Sequence, residues 1–211
     1  MIAYHLLWTG YGWWLPNDPR GSTSTTVRND LLKNLGELHH GRKSLQPASR
    51  DIQRFYEDAH SRLKHAPFEL CTLDIVQCVA GALKSCIELH RYTCYACVIM
   101  PDHVHILIRR HKHSAEEMIQ NLQFTSRDAL HHAGLVPDSH PVWSAGGWKT
   151  FLDHPNDVRR TIRYIDNNPI KGRRHEQQWS FVTNYDDWPL HQGHSKFSPY
   201  VKALRAAGQY P

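Results

Sequence analysis

No stretch of the chain approaches the ~18 consecutive apolar residues that a membrane-spanning helix needs, so no membrane partner is expected. The opening MIAYHLLWTGYGWW lacks a basic leader and a small-residue cleavage site, and no secretory signal is expected there. Cysteine is scarce and odd in number, five in 211 residues, which argues against a disulfide framework and for free thiols in a reducing cytoplasm. Cys94-x-x-Cys97 has no second cysteine pair after it, and residues three apart on a regular strand face opposite sides, so a thiolate metal site is not indicated. Internal repeats and low-complexity segments are absent. Acidic residues are outnumbered, 20 against 25 basic ones, giving +5 and a pI near 9.0. That balance fits a nucleic-acid partner, though weakly by itself.

What is present is compatible with one domain over residues 1–211. Residues 2–9, IAYHLLWT, have strand composition. Gly10 to Ser22 is punctuated as a loop, and its Trp13 and Trp14 either pin that loop to the core or stack on bases. Residues of about 23–69 are polar and read as an insertion, with a short helix over Arg28–Leu38 and a periodic one over Arg50–Lys64. A longer helix begins at Thr72, followed by an apolar strand over Tyr92–Met100, a turn at Pro101-Asp102, and an antiparallel return strand from His103. Ser114 and Glu117 form a capping-box pattern opening the next helix, which stops near Gly134. A strand is expected around Gly147–Leu152, with Gly146-Gly147 as a bulge or close-approach point. A helix from Pro155 to Asn168 ends at Pro169, and an extension from about 170 wraps the core. The order predicts an α+β, ferredoxin-like (RRM-like) antiparallel sheet with helices on one face plus one added helix.

His103 and His105 share a strand face because residues two apart point the same way. On its own such a pair also fits a half-buried sheet with no ligand. Tyr164 and Asn168 share a helix face, with Arg160 one turn before them. If that face leans over the histidines, two imidazoles, an amide oxygen and a phenol meet. Two nitrogens and one carbonyl oxygen suit Mg²⁺ or Mn²⁺ with open positions for phosphate oxygens. A phenol beside a metal-polarised phosphodiester can attack it and form a phosphotyrosine. Basic residues cluster near both motifs: Arg109, Arg110 and Lys112; Arg160 and Arg163; Lys171, Arg173 and Arg174. These are candidate DNA contacts, with Arg109 and Arg160 also candidates for transition-state neutralisation.

MPDHVHILI resembles the His-hydrophobic-His motif of the insertion sequence 200/605-type single-tyrosine transposases, and RYIDNNPIKG resembles the tyrosine helix of the REP-associated tyrosine transposases. The opening YHLLWTGYGWWLPNDPRG is similar to the first strand and loop of the same group. The resemblance implies single-stranded DNA, with hairpins, as substrate and a 5′-phosphotyrosine intermediate with a free 3′-hydroxyl. It makes Tyr164 the nucleophile, His103 and His105 metal ligands, and Asn168 a third ligand. The long 23–69 segment and the extension after Pro169 depart from the smallest members. The Asn-Pro form with its C-terminal extension suggests a monomer acting in cis, with a homodimer as the other arrangement. The alternatives are a non-cleaving DNA-binding protein of the same fold and a metal-dependent phosphohydrolase that uses water.

Overall fold

The computed structural model describes residues 1–22, 35–188, 202 and 205–208. Its elements are β1 (Ala3–Thr9), α1 (Ser49–Ser61), α2 (Leu73–His90), β2 (Cys94–Ile99), β3 (His103–Arg109), α3 (Ala115–His132), β4 (Trp148–Leu152), α4 (Pro155–Asp166) and α5 (Asn168–Lys171). The strands form one antiparallel sheet in the order β2-β3-β1-β4, the ferredoxin-like order. The expected α+β class is what the chain adopts. Among the described residues no helix is long and apolar enough to cross a membrane.

Alternation along the central strands builds two layers. Tyr4, Leu6 and Trp8 of β1 and Val104, Ile106 and Ile108 of β3 face α2 and α3 and are buried with Val79, Leu83, Met118 and Leu122. The other face carries Ala3, Leu107, Ala96 and Val98, which pack with Val158 and Ile165 of α4. The sheet face expected to lie open is therefore partly roofed by α4. The helix fits there because Pro155, Val158, Ile162 and Ile165 form an apolar stripe at helical spacing. Pro155 starts it at a position where the missing N–H costs nothing, and the His154 ring accepts a hydrogen bond from the Asn156 N–H.

Several expectations need correcting. Of the helix expected over Arg28–Leu38, residues 28–34 lie outside the described residues and 35–38 form no α-helix. The tyrosine helix stops at Asp166 rather than Asn168, and a further turn, α5, follows instead of a break. Pro169 sits in the first turn of α5, where proline is tolerated. A bulge shifts the β2–β3 register between Cys94 and Ala96, so Cys94 and Cys97 share the α2/α3 face instead of facing opposite sides. Both thiols are fully buried, burial pushes both well up, and all five cysteines are free. The close approach expected at the double glycine is real: a Cβ on Gly147 would stand 2.8 Å from the Leu7 carbonyl oxygen.

The extension after α5 covers the exposed edge of β2. Its backbone bridges Val182 to Cys94, and the Gln177 side-chain amide imitates a strand. It accepts from the Ile99 N–H at 2.8 Å and donates to the Ile99 carbonyl at 2.8 Å. Covering an edge in this way removes a template for aggregation. Gln177→Ala removes both bonds, and a loss of roughly 1–2 kcal/mol is expected from the urea midpoint.

Candidate nucleic-acid-processing site

The α4 face of the sheet positions three imidazoles. His103 and His105 lie on β3, and register places Thr9 opposite His103 and Leu7 opposite His105. His5, two residues before Leu7 on β1, points to the same face and meets His105 diagonally. The Nε2 of His5 is 2.9 Å from the Nδ1 of His105, with the rings stacked 5.0 Å apart. His103 and His105 meet edge to face at 4.7 Å. His105 is almost wholly buried. Burial, with His103 and His5 beside it, pushes His105 down to about 2, and burial alone pushes His5 down to about 4. Both rings are therefore neutral near pH 7 and have lone pairs to offer.

Each imidazole of the pair on β3 is oriented by a partner. The Asp102 Oδ1 accepts from the His103 Nδ1 at 2.7 Å, and the Asp102 Oδ2 accepts from the Trp14 indole N–H at 3.3 Å. Burial raises Asp102, but the hydrogen bonds from His103 and Trp14 outweigh it and hold the carboxyl below its ordinary value. With its Nδ1 proton committed to Asp102, His103 presents Nε2. The His105 Nδ1 is engaged with the Nε2 of the neutral His5, so its Nε2 is the nitrogen left outside that hydrogen bond. A partner on one ring nitrogen fixes an imidazole's orientation and leaves the other nitrogen to a ligand.

Tyr164 reaches this group from α4. Its ring lies edge-on to His105 at 5.6 Å and to His5 at 6.1 Å, and it is 45% exposed. The Lys171 ammonium stands 5.4 Å from the centre of the same ring. Asn168, at the start of α5, donates from its Nδ2 to the Tyr164 carbonyl at 2.9 Å, a bond that occupies the amide nitrogen and not the oxygen. Among the described residues no three His, Cys, Asp or Glu side chains converge as a metal cage. Paired imidazoles on one sheet face, completed by oxygen donors, are the kind of set that suits a hard, open-sided divalent ion.

The basic candidates divide. Lys171 stands at the tyrosine. Arg109 does not reach the histidines: it lies four residues from His105 along β3, about 13 Å at ~3.3 Å per residue. It pairs with Asp186 at 3.8 Å and covers the Trp188 ring. Arg160 is paired with Asp157 on its own helix. Of the basic candidates, Lys171 is the one with a contact to the Tyr164 ring. Arg110, Lys112, Arg163, Arg173 and Arg174 are exposed. His5 was the residue missed; its signal is a lone imidazole on an apolar strand, legible only once strand pairing is known.

The two loop tryptophans have separate fates. Trp13 pins the loop, donating to the Phe68 carbonyl at 3.0 Å and packing on Tyr56. Trp14 remains 42% exposed. Its backbone is left-handed at φ 50°, a strain on the order of 1–3 kcal/mol that marks functional loops. Its amide donates to the Tyr56 hydroxyl at 2.9 Å. The buried Asp18 holds Arg20 through Nε at 2.9 Å and Nη2 at 2.7 Å, and Tyr56 donates to the same carboxylate at 2.5 Å. The guanidinium so held lies 4.0 Å over the Trp14 indole.

No family model and no curated protein matches the chain. Among solved structures it is similar to a REP-associated tyrosine transposase bound to a REP hairpin, with 15% identity and a TM-score of 0.43, over 100% of this chain and 82% of that one. It is also similar to a protein assigned as a transposase from Deinococcus radiodurans R1, with 13% identity and a TM-score of 0.37, over 78% of this chain and 88% of that one. Both carry the name transposase.

Proposed function

We propose that the chain is a single-strand DNA endonuclease and strand transferase, a transposase working through Tyr164. The observation that carries the reading is the placement of one exposed tyrosine, on a helix laid across the sheet, at 5.6 Å from a buried neutral histidine of a His-x-His strand. The phenolic oxygen attacks the scissile phosphorus and its proton leaves to solvent. The bond from phosphorus to the 3′-oxygen breaks, and that oxygen takes up a proton to become the 3′-hydroxyl. The DNA is left joined through its 5′-phosphate to Tyr164, so the bond energy is conserved and a 3′-hydroxyl can reverse the step.

His103 and His105 through Nε2, with the Asn168 amide oxygen, would hold a Mg²⁺ or Mn²⁺ ion. Such an ion, when bound, polarises the phosphate oxygens as a Lewis acid. Lys171 beside the phenol favours the developing phenolate. The exposed Arg163, Arg173 and Arg174 on and after α4, and Arg110 and Lys112 beyond the far end of β3, supply backbone-phosphate contacts. The substrate on this reading is single-stranded DNA carrying a hairpin, handled in the cytoplasm by a monomer or homodimer. Residues 1–211 act as one domain, with 23–69 as an insertion. The reading is tested by whether a single-stranded hairpin substrate and Mn²⁺ give a protein–DNA adduct that survives denaturation.

Asp102 is a positioning residue on this account. Asp102→Asn removes the carboxylate that orients His103, and Mn²⁺ affinity is expected to fall about 10- to 100-fold by calorimetric titration. Unchanged Mn²⁺ affinity would show that His103 needs no such support.

A further inference from the structure

A cavity of about 390 Å³ opens beside the histidine site, bounded by Leu7 and Thr9 of β1, Trp14 and Arg20 of the first loop, and Trp148 of β4. Its size falls within the roughly 300–1,000 Å³ range of small-ligand pockets. Leu7 and Thr9 are the register partners of His105 and His103, so the cavity is walled by the strand next to the one that carries the pair. Gly147 also borders it, and the lack of a side chain there lets the backbone pass Leu7 closely.

We infer that this cavity holds one unpaired nucleobase of the DNA strand, next to the scissile phosphate. The inference rests on the single-stranded DNA reading above and names a subsite for it. Two of the wall side chains, Trp14 and Trp148, are large aromatics left 42% and 44% exposed. Stacking on such rings is how unpaired bases are held without sequence-specific readout. Arg20 fits the same purpose. Its charge is met by the buried Asp18, and its guanidinium carbon is held 4.0 Å over the Trp14 indole. A guanidinium so neutralised and so oriented offers a planar stacking surface rather than a phosphate clamp. The strained backbone of Trp14, tied to Tyr56 and to Asp102, holds the platform in register with His103.

The test compares two fluorescein-labelled probes without added metal: a dT 20-mer, and a 20-mer with the same backbone and abasic residues throughout. Trp14→Ala and Trp148→Ala are each expected to weaken dT 20-mer binding about tenfold and to leave abasic binding unchanged. The slope of affinity against salt should stay as in the wild type, because no phosphate contact is lost. Trp14→Phe should restore most of the dT affinity. Equal weakening of both probes, or no weakening of either, overturns the base subsite while leaving the single-stranded DNA reading intact. A wild-type protein that binds neither probe overturns both.

Discussion

Tyr164→Phe should lower cleavage of single-stranded DNA by at least about 10³-fold and abolish the covalent adduct, with DNA affinity kept within about twofold. The substitution removes one oxygen. The ring that touches His5 and His105 remains, and the apolar stripe of α4, Val158 and Ile165, is untouched. An exposed position away from the core should shift folding stability by no more than about 0.5 kcal/mol. Lost activity would therefore report chemistry rather than unfolding. Cleavage at an unchanged rate would mean that water, not the phenol, attacks, and the phosphohydrolase alternative would take its place. Loss of DNA binding along with cleavage would instead make Tyr164 a recognition residue.

His103→Ala should be as severe, again at least about 10³-fold in cleavage, because a Lewis acid supplies several kcal/mol of transition-state stabilisation. His103 is the better probe of the pair. It is less buried than His105, and its removal leaves the His5–His105 hydrogen bond in place. His105→Ala would strand His5 without its partner and open a cavity under α4, mixing stability with function. Binding of a single-stranded oligonucleotide without metal should survive His103→Ala. Activity that Mn²⁺ at high concentration fails to rescue is expected, since an imidazole ligand is gone. A His103→Ala protein that still cleaves at the wild-type rate would show that the β3 pair holds no catalytic metal.

Much of the scaffold was legible in the sequence because its signals are local. The capping box at Ser114 and Glu117 is present with both hydrogen bonds, and the helix expected from Thr72 starts at Leu73 with Thr72 as its N-cap. The alternation of HVHILIR placed the two histidines on one face correctly. What stayed hidden depends on tertiary register. His5 joins the site because β1 and β3 pair with Leu7 opposite His105, and no single strand reveals that offset. The bulge between Cys94 and Ala96 reverses the facing of half of β2, and an apolar strand buried on both sides offers no alternation from which to read it. The extension from Gln177 to Trp188 has no period at all; it is held by one side-chain amide, one isolated bridge and side-chain bonds such as that from Tyr95 to Asp186, which composition does not announce. Arg109 pairs with Asp186 and covers the Trp188 ring, partners far along the chain that no local pattern announces. Lys171, one of many basic residues in the sequence, gains its meaning only from the turn of α5 that brings it to Tyr164.

The most direct measurement is peptide mapping of the covalent product. The protein is incubated with Mg²⁺ or Mn²⁺ and single-stranded fragments from the DNA flanking its gene, chosen for imperfect palindromes, and the denatured product is digested and analysed by mass spectrometry. The account predicts a nucleotide joined through its 5′-phosphate to the peptide containing Tyr164, with a 3′-hydroxyl on the released fragment. Cleaved DNA with a free 5′-phosphate, carrying oxygen from labelled water and no peptide, would contradict it.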